Sequence, residues 1–135
     1  WRPGQGFGWR LMPRPLFPDV TAAAIALISG GLQDRGTYTV SRTARQAAGH
    51  VWVESDGGSD ATATASRLVR VNNWAGTVEQ AEDDANLIAA IFEPDGDPIT
   101  FVHRISGPYR IDDSGSTLSR MYQLFEVRTH GANLS

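Results

Sequence analysis

Apolar side chains recur every three or four residues in two stretches of the sequence, a spacing typical of helices that bury one face. The first stretch follows Asp19, a residue that favours a helix start, and it runs to Gly30–Gly31, where glycine predicts the end. The second stretch spans residues 77–92 and begins with Thr77 and Gln80 at capping-box spacing. The predicted apolar faces are Val20, Ala23, Ala24, Leu27 and Ile28, and Val78, Ala81, Ala85, Ile88 and Phe92.

Between and after these helices, β-branched and aromatic residues alternate with polar ones, which is the pattern of strands with one buried face. Clusters of turn residues, ESDGGSD, PDGDP and DDSGS, separate the runs. The predicted strands are residues 37–42, 50–55, 66–72, 99–105 and 118–130. In the last strand, Met121, Gln123, Phe125 and Val127 alternate with Tyr122, Leu124 and Glu126.

The order of elements is therefore helix, three strands, helix and two strands, in a chain of 135 residues. A chain of this length suits one domain that buries about two thirds of its unfolded surface. We predict a single α+β domain over residues 18–135, with one mixed or antiparallel sheet of four to five strands and two helices on one face.

Residues 1–17 differ in composition from the rest of the chain. They are rich in Gly and Pro and carry three arginines but no acidic residue. Such a segment cannot sustain a helix or a central strand. We predict an extended N-terminal arm. Met12 would make a natural start, which leaves open whether residues 1–11 are an upstream extension.

Charge and composition narrow the function classes. The net charge of -3 argues against a general nucleic-acid binder. All twelve basic residues are Arg, which fits either a GC-rich genome or packed interfaces. Cysteine is absent, which excludes disulfides, thiolate metal sites and Cys nucleophiles. No apolar run approaches the ~20 residues of a membrane span, and no signal-peptide pattern opens the chain, so we expect a protein made in a cytoplasm.

No catalytic or metal-binding motif is recognisable. The three histidines are His50, His103 and His130. They lie on separate predicted strands without a carboxylate at ligand spacing, so each is interpreted as a core or edge histidine. The acidic pairs Asp95/Asp97 and Asp112/Asp113 flank Gly or Pro and are interpreted as turn residues. We therefore expect neither an enzyme nor a cofactor or metal site.

Three segments together resemble the tail terminator proteins of long-tailed phages from GC-rich hosts. RPLFPDVTAAAIALI opens the first helix, and VRVNNWAGTVEQAEDDANLIAAIF carries a strand that ends in Trp just before an acidic helix. GPYRIDDSGSTLSRMYQLFEVRTHG combines a Gly-Pro turn, a loop and a long final strand. The resemblance covers roughly residues 14–131 and is weakest over 33–65.

This resemblance implies a structural virion protein. Tail terminators form a hexameric ring that caps the tail tube at its head-proximal end and stops tube polymerisation. The other face of the ring meets the head-side connector or stopper, and DNA passes through the lumen without specific binding. The expected location is the neck of the virion tail, after assembly in the host cytoplasm and without a membrane partner.

The resemblance also directs attention to two sets of residues. The expected interface residues are Trp1, Phe7, Trp9, Arg10, Arg14, Phe17 and Trp74. The expected lumen-facing acids are Glu79, Glu82, Asp83 and Asp84. DNA has to slide past a ring lining, which favours a neutral or acidic surface there. For Trp74, a simple core position is the alternative to a subunit contact.

Two other classes of function stay open at this point. One is another ring of the virion, such as a neck stopper or a tail tube subunit, although no stretch is clearly the long polymerising hairpin expected of a tube protein. The other is a small ligand-binding or enzymatic α+β domain. The sequence alone fixes neither the ring order nor the face that meets the tube.

Overall fold

The computed structural model describes residues 15–16, 19–60, 64–130 and 132–133. The strands are β1 (Pro15–Leu16), β2 (Thr39–Ser41), β3 (His50–Asp60), β4 (Thr64–Ala75), β5 (Ile99–Ile111), β6 (Ser119–His130) and β7 (Ala132–Asn133), and the helices are α1 (Val20–Leu32) and α2 (Val78–Ile91). The predicted order of two helices and five main strands is confirmed. Neither helix is long and apolar enough to cross a membrane in the part of the chain that is described.

The five main strands form one mixed sheet with the order β2-β3-β4-β6-β5. β2 runs parallel to β3, and the other neighbours are antiparallel. The two edges of the sheet are therefore β2 and β5. β1 and β7 form a separate antiparallel pair, in which Pro15 lies opposite Asn133. The end of the predicted arm is thus paired with the end of the chain.

Both helices pack on one face of the sheet, as the α+β prediction requires. Alternate residues of the central strands point to that face, because side chains of a strand alternate between its two sides. The buried core consists of Val20, Ala24, Ile28 and Leu32 of α1, Ile88 and Phe92 of the second helical segment, and Val51, Val53, Val69, Val71, Ile99, Phe125 and Val127 of the sheet. The rings of Phe92 and Phe125 meet edge to face with centroids 5.0 Å apart. The helical period predicted Val20, Ala24, Ile28, Ile88 and Phe92 of this core, whereas Ala23 and Leu27 are only partly buried.

Two buried amide side chains fix α2 on the sheet. Asn73 Nδ2 donates to the carbonyl oxygen of Ala81 at 3.0 Å, and Gln123 Nε2 donates to the carbonyl oxygen of Ala85 at 2.8 Å. Ala81 and Ala85 are fully buried, and their small side chains allow the helix to lie close to the strands. The amides therefore set the position of the helix along the sheet as well as its distance.

Three strands are longer than the sequence predicted. β3 continues to Asp60 through the ESDGGSD segment, which was expected to be a turn, β4 spans Thr64–Ala75 instead of 66–72, and β5 continues beyond Ile105 to Ile111. The pairing shifts register between Asp56 and Gly58 and again between Ser106 and Tyr109. Bulges of this kind let a strand accommodate extra residues without ending the ladder. The turn-forming residues of these segments therefore indicate bulges inside continuous strands rather than turns between strands.

The prediction that Gly30–Gly31 ends the first helix is wrong, because α1 runs to Leu32. Gly31 faces α2, and a Cβ atom placed there would overlap the side chain of Ile91. Gly30 faces open space instead. Glycine at position 31 therefore serves the close approach of the two helices rather than a helix stop.

This contact predicts opposite effects for two neighbouring substitutions. Gly31→Ala should destabilise the fold by about 1–3 kcal/mol, because the added methyl group overpacks the contact with the stiff, β-branched Ile91. Gly30→Ala adds the same group where nothing is displaced, and should stabilise the fold by about 0.5–1 kcal/mol. Urea unfolding of both variants measures the difference. Equal effects of the two substitutions would contradict the assigned helix contact.

Candidate functional site

The sheet face opposite α1 and α2 carries the first candidate surface, which we call the open face. Its residues alternate with those of the core along β3, β4 and β6. They are His50, Trp52 and Glu54; Arg70, Asn72 and Trp74; and Arg120, Tyr122, Leu124 and Glu126. Trp52, Tyr122 and Leu124 remain partly exposed, so aromatic and apolar side chains contribute to this surface.

A stack of aromatic rings occupies one end of the open face. Trp52 and Trp74 are nearly parallel, with centroids 6.4 Å apart and an interplanar angle of 23°. The His50 ring is tilted against Trp74, with centroids 6.0 Å apart and an interplanar angle of 32°. The guanidinium carbon of Arg120 lies 5.2 Å from the Trp74 centroid and 5.8 Å from that of Trp52. This distance allows a cation–π contact with both rings.

Hydrogen bonds to Asp113 and Asn72 hold the same cluster together. Asp113 accepts hydrogen bonds from Trp74 Nε1 at 3.0 Å and from Arg120 Nη1 at 2.8 Å. Arg120 Nε donates to Asn72 Oδ1 at 3.0 Å. Burial by itself would raise the pKa of the Asp113 carboxyl, but the bonds from Trp74 and Arg120, with the charge of Arg120, hold that pKa below its ordinary value. The loop between β5 and β6 is thereby fastened to the sheet.

Trp74 is buried in this cluster, with 2% of its surface exposed. This burial fits the core position that the sequence left as the alternative to a direct subunit contact. A partner approaching the open face would meet the partly exposed ring of Trp52, which the sequence analysis did not single out. The strand-to-helix corner at residue 74 thus holds the cluster together.

His50 has a structural role in the fold, and the other two histidines lie at the surface. His50 is buried, with Nδ1 2.7 Å from Thr39 Oγ1 and Nε2 2.7 Å from the carbonyl oxygen of Thr43, so its two nitrogens hold the loop between β2 and β3. His103 and His130 are exposed near the edge of the sheet. Among the residues that the structure describes, no group of three or more histidine and acidic side chains could hold a metal ion.

The acids of the second helix do not form one exposed group. Glu79, Glu82 and Asp83 are exposed, whereas Asp84 is 4% exposed. The expectation that all four are exposed is therefore wrong for Asp84. Its Oδ1 accepts hydrogen bonds from the Tyr38 hydroxyl and from Gln80 Nε2, both at 2.8 Å. The helical period turns residue 84 towards α1 and β2, where Tyr38 covers it.

Asp84 lies at the base of a cleft of about 230 Å³, which we call the Asp84 cleft. Its walls come from the segments just before β2 and β3, the end of β4 and the start of α2. The lining residues are Gly36, Thr37, Tyr38, Ala48, Gly49, Ala75, Gly76, Gln80 and Asp84. Burial, and then the hydrogen bond to Asp84 and its negative charge, raise the pKa of the Tyr38 hydroxyl. The cleft therefore presents a carboxylate and neutral groups, a combination that suits a cation.

The β5 edge carries the second exposed surface. Ile105 and Tyr109 are 49% and 55% exposed and are the large apolar side chains that stand out in the described part of the chain. Arg110 lies next to Tyr109 and is exposed as well. Exposed apolar side chains beside a positive charge are typical of surfaces that meet another protein.

The expected interface residues of the arm lie outside the described residues. They are Trp1, Phe7, Trp9, Arg10, Arg14 and Phe17. Comparison of the chain with models of known protein families found no match, and comparison with curated proteins found none.

The Trp74–Asp113–Arg120 contacts predict a pH-dependent contribution to stability. Because the pKa of Asp113 is lowered in the folded state, its carboxylate stabilises the fold above the ordinary pKa of about 3.9, and this contribution is lost as pH falls through the folded pKa. Asp113→Asn should cost about 1.5–3 kcal/mol at neutral pH, and the cost should shrink as the pH falls below about 3.9 and through the lowered pKa. Urea unfolding across this range measures the difference. Asp112→Asn, at an exposed neighbouring position, is the matched control and should change little.

Proposed function

We propose that this protein is a ring-forming structural protein of a phage tail, with the role of a tail terminator. The proposal rests on one observation: the sequence segments that resemble tail terminators coincide with successive helices and strands of the fold. The segments that resemble tail terminators correspond to the start of α1, to β4 followed by α2, and to the end of β5 with β6. The likeness therefore extends over a succession of elements in one chain.

The surfaces of the domain support an interface role. The β5 edge exposes Ile105 and Tyr109, and the open face exposes parts of Trp52, Tyr122 and Leu124. Aromatic residues and arginine are enriched at protein interfaces, and arginine is the basic residue used throughout this chain. A ring subunit needs such surfaces, because it contacts two neighbours, the tube below and the connector above.

The proposed lumen uses the exposed acids of α2. Glu79, Glu82 and Asp83 lie on the side of the helix away from the sheet. A lining of carboxylates repels the DNA phosphates, so DNA slides through the ring without binding. Asp84 is not part of this proposed lining, because it is buried against Tyr38.

A small ligand-binding domain is the second candidate, and the Asp84 cleft is the observation that favours it. Its volume of about 230 Å³ lies below the ~300–1,000 Å³ typical of small-molecule sites. Its lining combines glycine and alanine with a single carboxylate and offers little apolar surface to a metabolite. We therefore rank this function behind the ring.

Electron microscopy of tail assembly tests the ring directly. The protein should be present as a six-fold ring at the head-proximal end of tail tubes, and tubes assembled without it should exceed their normal length. A reconstruction should place Glu79, Glu82 and Asp83 at the channel. Capped tubes that lack this protein at that end would refute the proposal, and a location elsewhere in the neck would assign it to another ring.

A second prediction concerns the arm. Pro15–Leu16 is paired with β7, and fourteen residues of the arm precede this pair. Fully extended, they reach about 46 Å, which exceeds the ~35 Å width expected of the body. We expect the arm to lie across a neighbouring subunit or partner ring, with Trp9 and Phe17 as anchors.

Deletion of residues 1–11 should therefore leave the thermal unfolding of the body unchanged and weaken attachment to the tail. Co-sedimentation with tail tubes measures that attachment. Gln5→Ala in the full-length chain is the control and should bind normally. Equal binding of the deletion and the full-length chain would show that the arm has no role in attachment.

A further inference from the structure

Asp84 carries a negative charge that no cationic side chain in the described part of the chain balances. Both of its hydrogen bonds come from neutral donors, the Tyr38 hydroxyl and the Gln80 amide, and among the described ion pairs none includes Asp84. A buried carboxylate is costly unless a cation lies beside it. Within the described residues, the site therefore lacks its balancing cation.

The shape of the Asp84 cleft suits a planar cation. Glycines at positions 36, 49 and 76 contribute to its walls, so backbone rather than bulky side chains borders the entrance. A guanidinium group donates up to five hydrogen bonds in one plane, so it can reach a carboxylate and nearby carbonyl oxygens together. The cleft has the size and chemistry to receive the end of an arginine side chain.

The described part of the chain contains two arginine side chains without a hydrogen bond or ion pair, Arg45 and Arg110. Arg45 belongs to the loop between β2 and β3 that also carries Ala48 and Gly49, on the same side as the cleft. Arg110 lies on β5, the opposite edge of the sheet. By contrast, Arg104 on the same strand already donates to Gln123 Oε1 at 3.2 Å.

Arg110 and the cleft are placed for a contact between copies. Arg110 pairs with Met121, which pairs with Asn73, two residues before the cleft residue Ala75. Both features therefore lie near the same end of the sheet. The strand ends that line the cleft belong to β4, β3 and β2, which lie two, three and four strand spacings from β5, about 9–19 Å. Since α2 packs on β4 and β6 and Asp84 faces Tyr38 on the β2 side, Arg110 does not reach Asp84 of its own chain.

We propose that Arg110 of one copy inserts into the Asp84 cleft of the next copy and forms the contact that builds the ring. The exposed Tyr109 and Ile105 of the same edge then pack against the rim of the cleft around Ala48. Two different edges meet in such a contact, so it is head to tail, and repetition closes a ring when the rotation per subunit permits. The inference rests on the proposed ring and names the side chains that join its subunits.

Cysteine cross-linking tests this contact without background, because the chain has no cysteine. Ala48→Cys reports on the cleft and Asp112→Cys on the neighbourhood of Arg110; both positions are exposed. The two variants differ in mass, so mixed dimers are distinguished from like dimers. They are mixed in two settings, bound to tail tubes and as concentrated protein, and each mixture is treated with a short bismaleimide. We expect mixed dimers in the mixture, none from either variant alone, and a ladder to hexamer when both cysteines are in one chain.

Two substitutions identify the charge pair within this experiment. Arg110→Ala or Asp84→Asn should reduce the cross-linked fraction on the order of 30-fold, the effect of truncating one partner of a buried charge pair. The amide introduced by Asp84→Asn retains an oxygen that can accept the hydrogen bond from Tyr38, and thermal unfolding verifies that the fold is intact. Arg45→Ala is the matched control and should leave the ladder unchanged. Ala90→Cys on α2, in place of Asp112→Cys, should give no mixed dimer.

The remaining outcomes separate the two proposals. Like dimers from a single variant, or a ladder insensitive to both Arg110→Ala and Asp84→Asn, would overturn the Arg110 contact. Rings on the tube without any cross-link would also overturn it while leaving the proposed function in place. Absence of both rings and cross-links would overturn both.

Discussion

The position of α2 is fixed by the hydrogen bonds that Asn73 and Gln123 donate to carbonyl oxygens in the middle of that helix. Apolar burial is not directional, whereas two buried amides are satisfied in one position of the helix. The arrangement also carries a cost, because Asn73 Oδ1 is buried without a hydrogen-bond partner. With α2 fixed in this way, Asp84 is brought under Tyr38, and the floor of the cleft is formed.

The second organising contact lies on the opposite side of the sheet. Arg120 lies against two tryptophan rings while it bonds Asp113 and Asn72, so one side chain joins β4, β6 and the loop between β5 and β6. Fastening that loop also fixes the end of β5, where Tyr109 and Arg110 are exposed. The two faces of the sheet therefore have different roles. The face that carries the helices forms the cleft, and the contacts on the open face fix the end of β5 at the edge of the sheet.

The sequence predicted features that depend on near neighbours and missed those that depend on distant ones. The helices, their apolar faces and the Thr77 cap follow from local period and spacing, and the structure confirms them. The burial of Asp84 depends on Tyr38, 46 residues away, so the sequence grouped Asp84 with the lumen-facing acids. The bond from Trp74 to Asp113 spans 39 residues, so no local pattern indicated it. Glycine at position 31 resembled a helix stop because its partner, Ile91, belongs to the other helix.

The bulges of β5 have a consequence for how this protein can polymerise. The pairing of β5 with β6 shifts register at three places, between Ile99 and Phe101, between Arg104 and Ser106, and between Ser106 and Tyr109. A strand interrupted in this way offers no regular row of free amide and carbonyl groups to another strand, which is one means by which natural sheets avoid edge-to-edge aggregation. Contacts at this edge must therefore be made by side chains, whose geometry selects a particular neighbour. Copies of the chain can then accumulate at high concentration without joining their sheets through this edge into fibres.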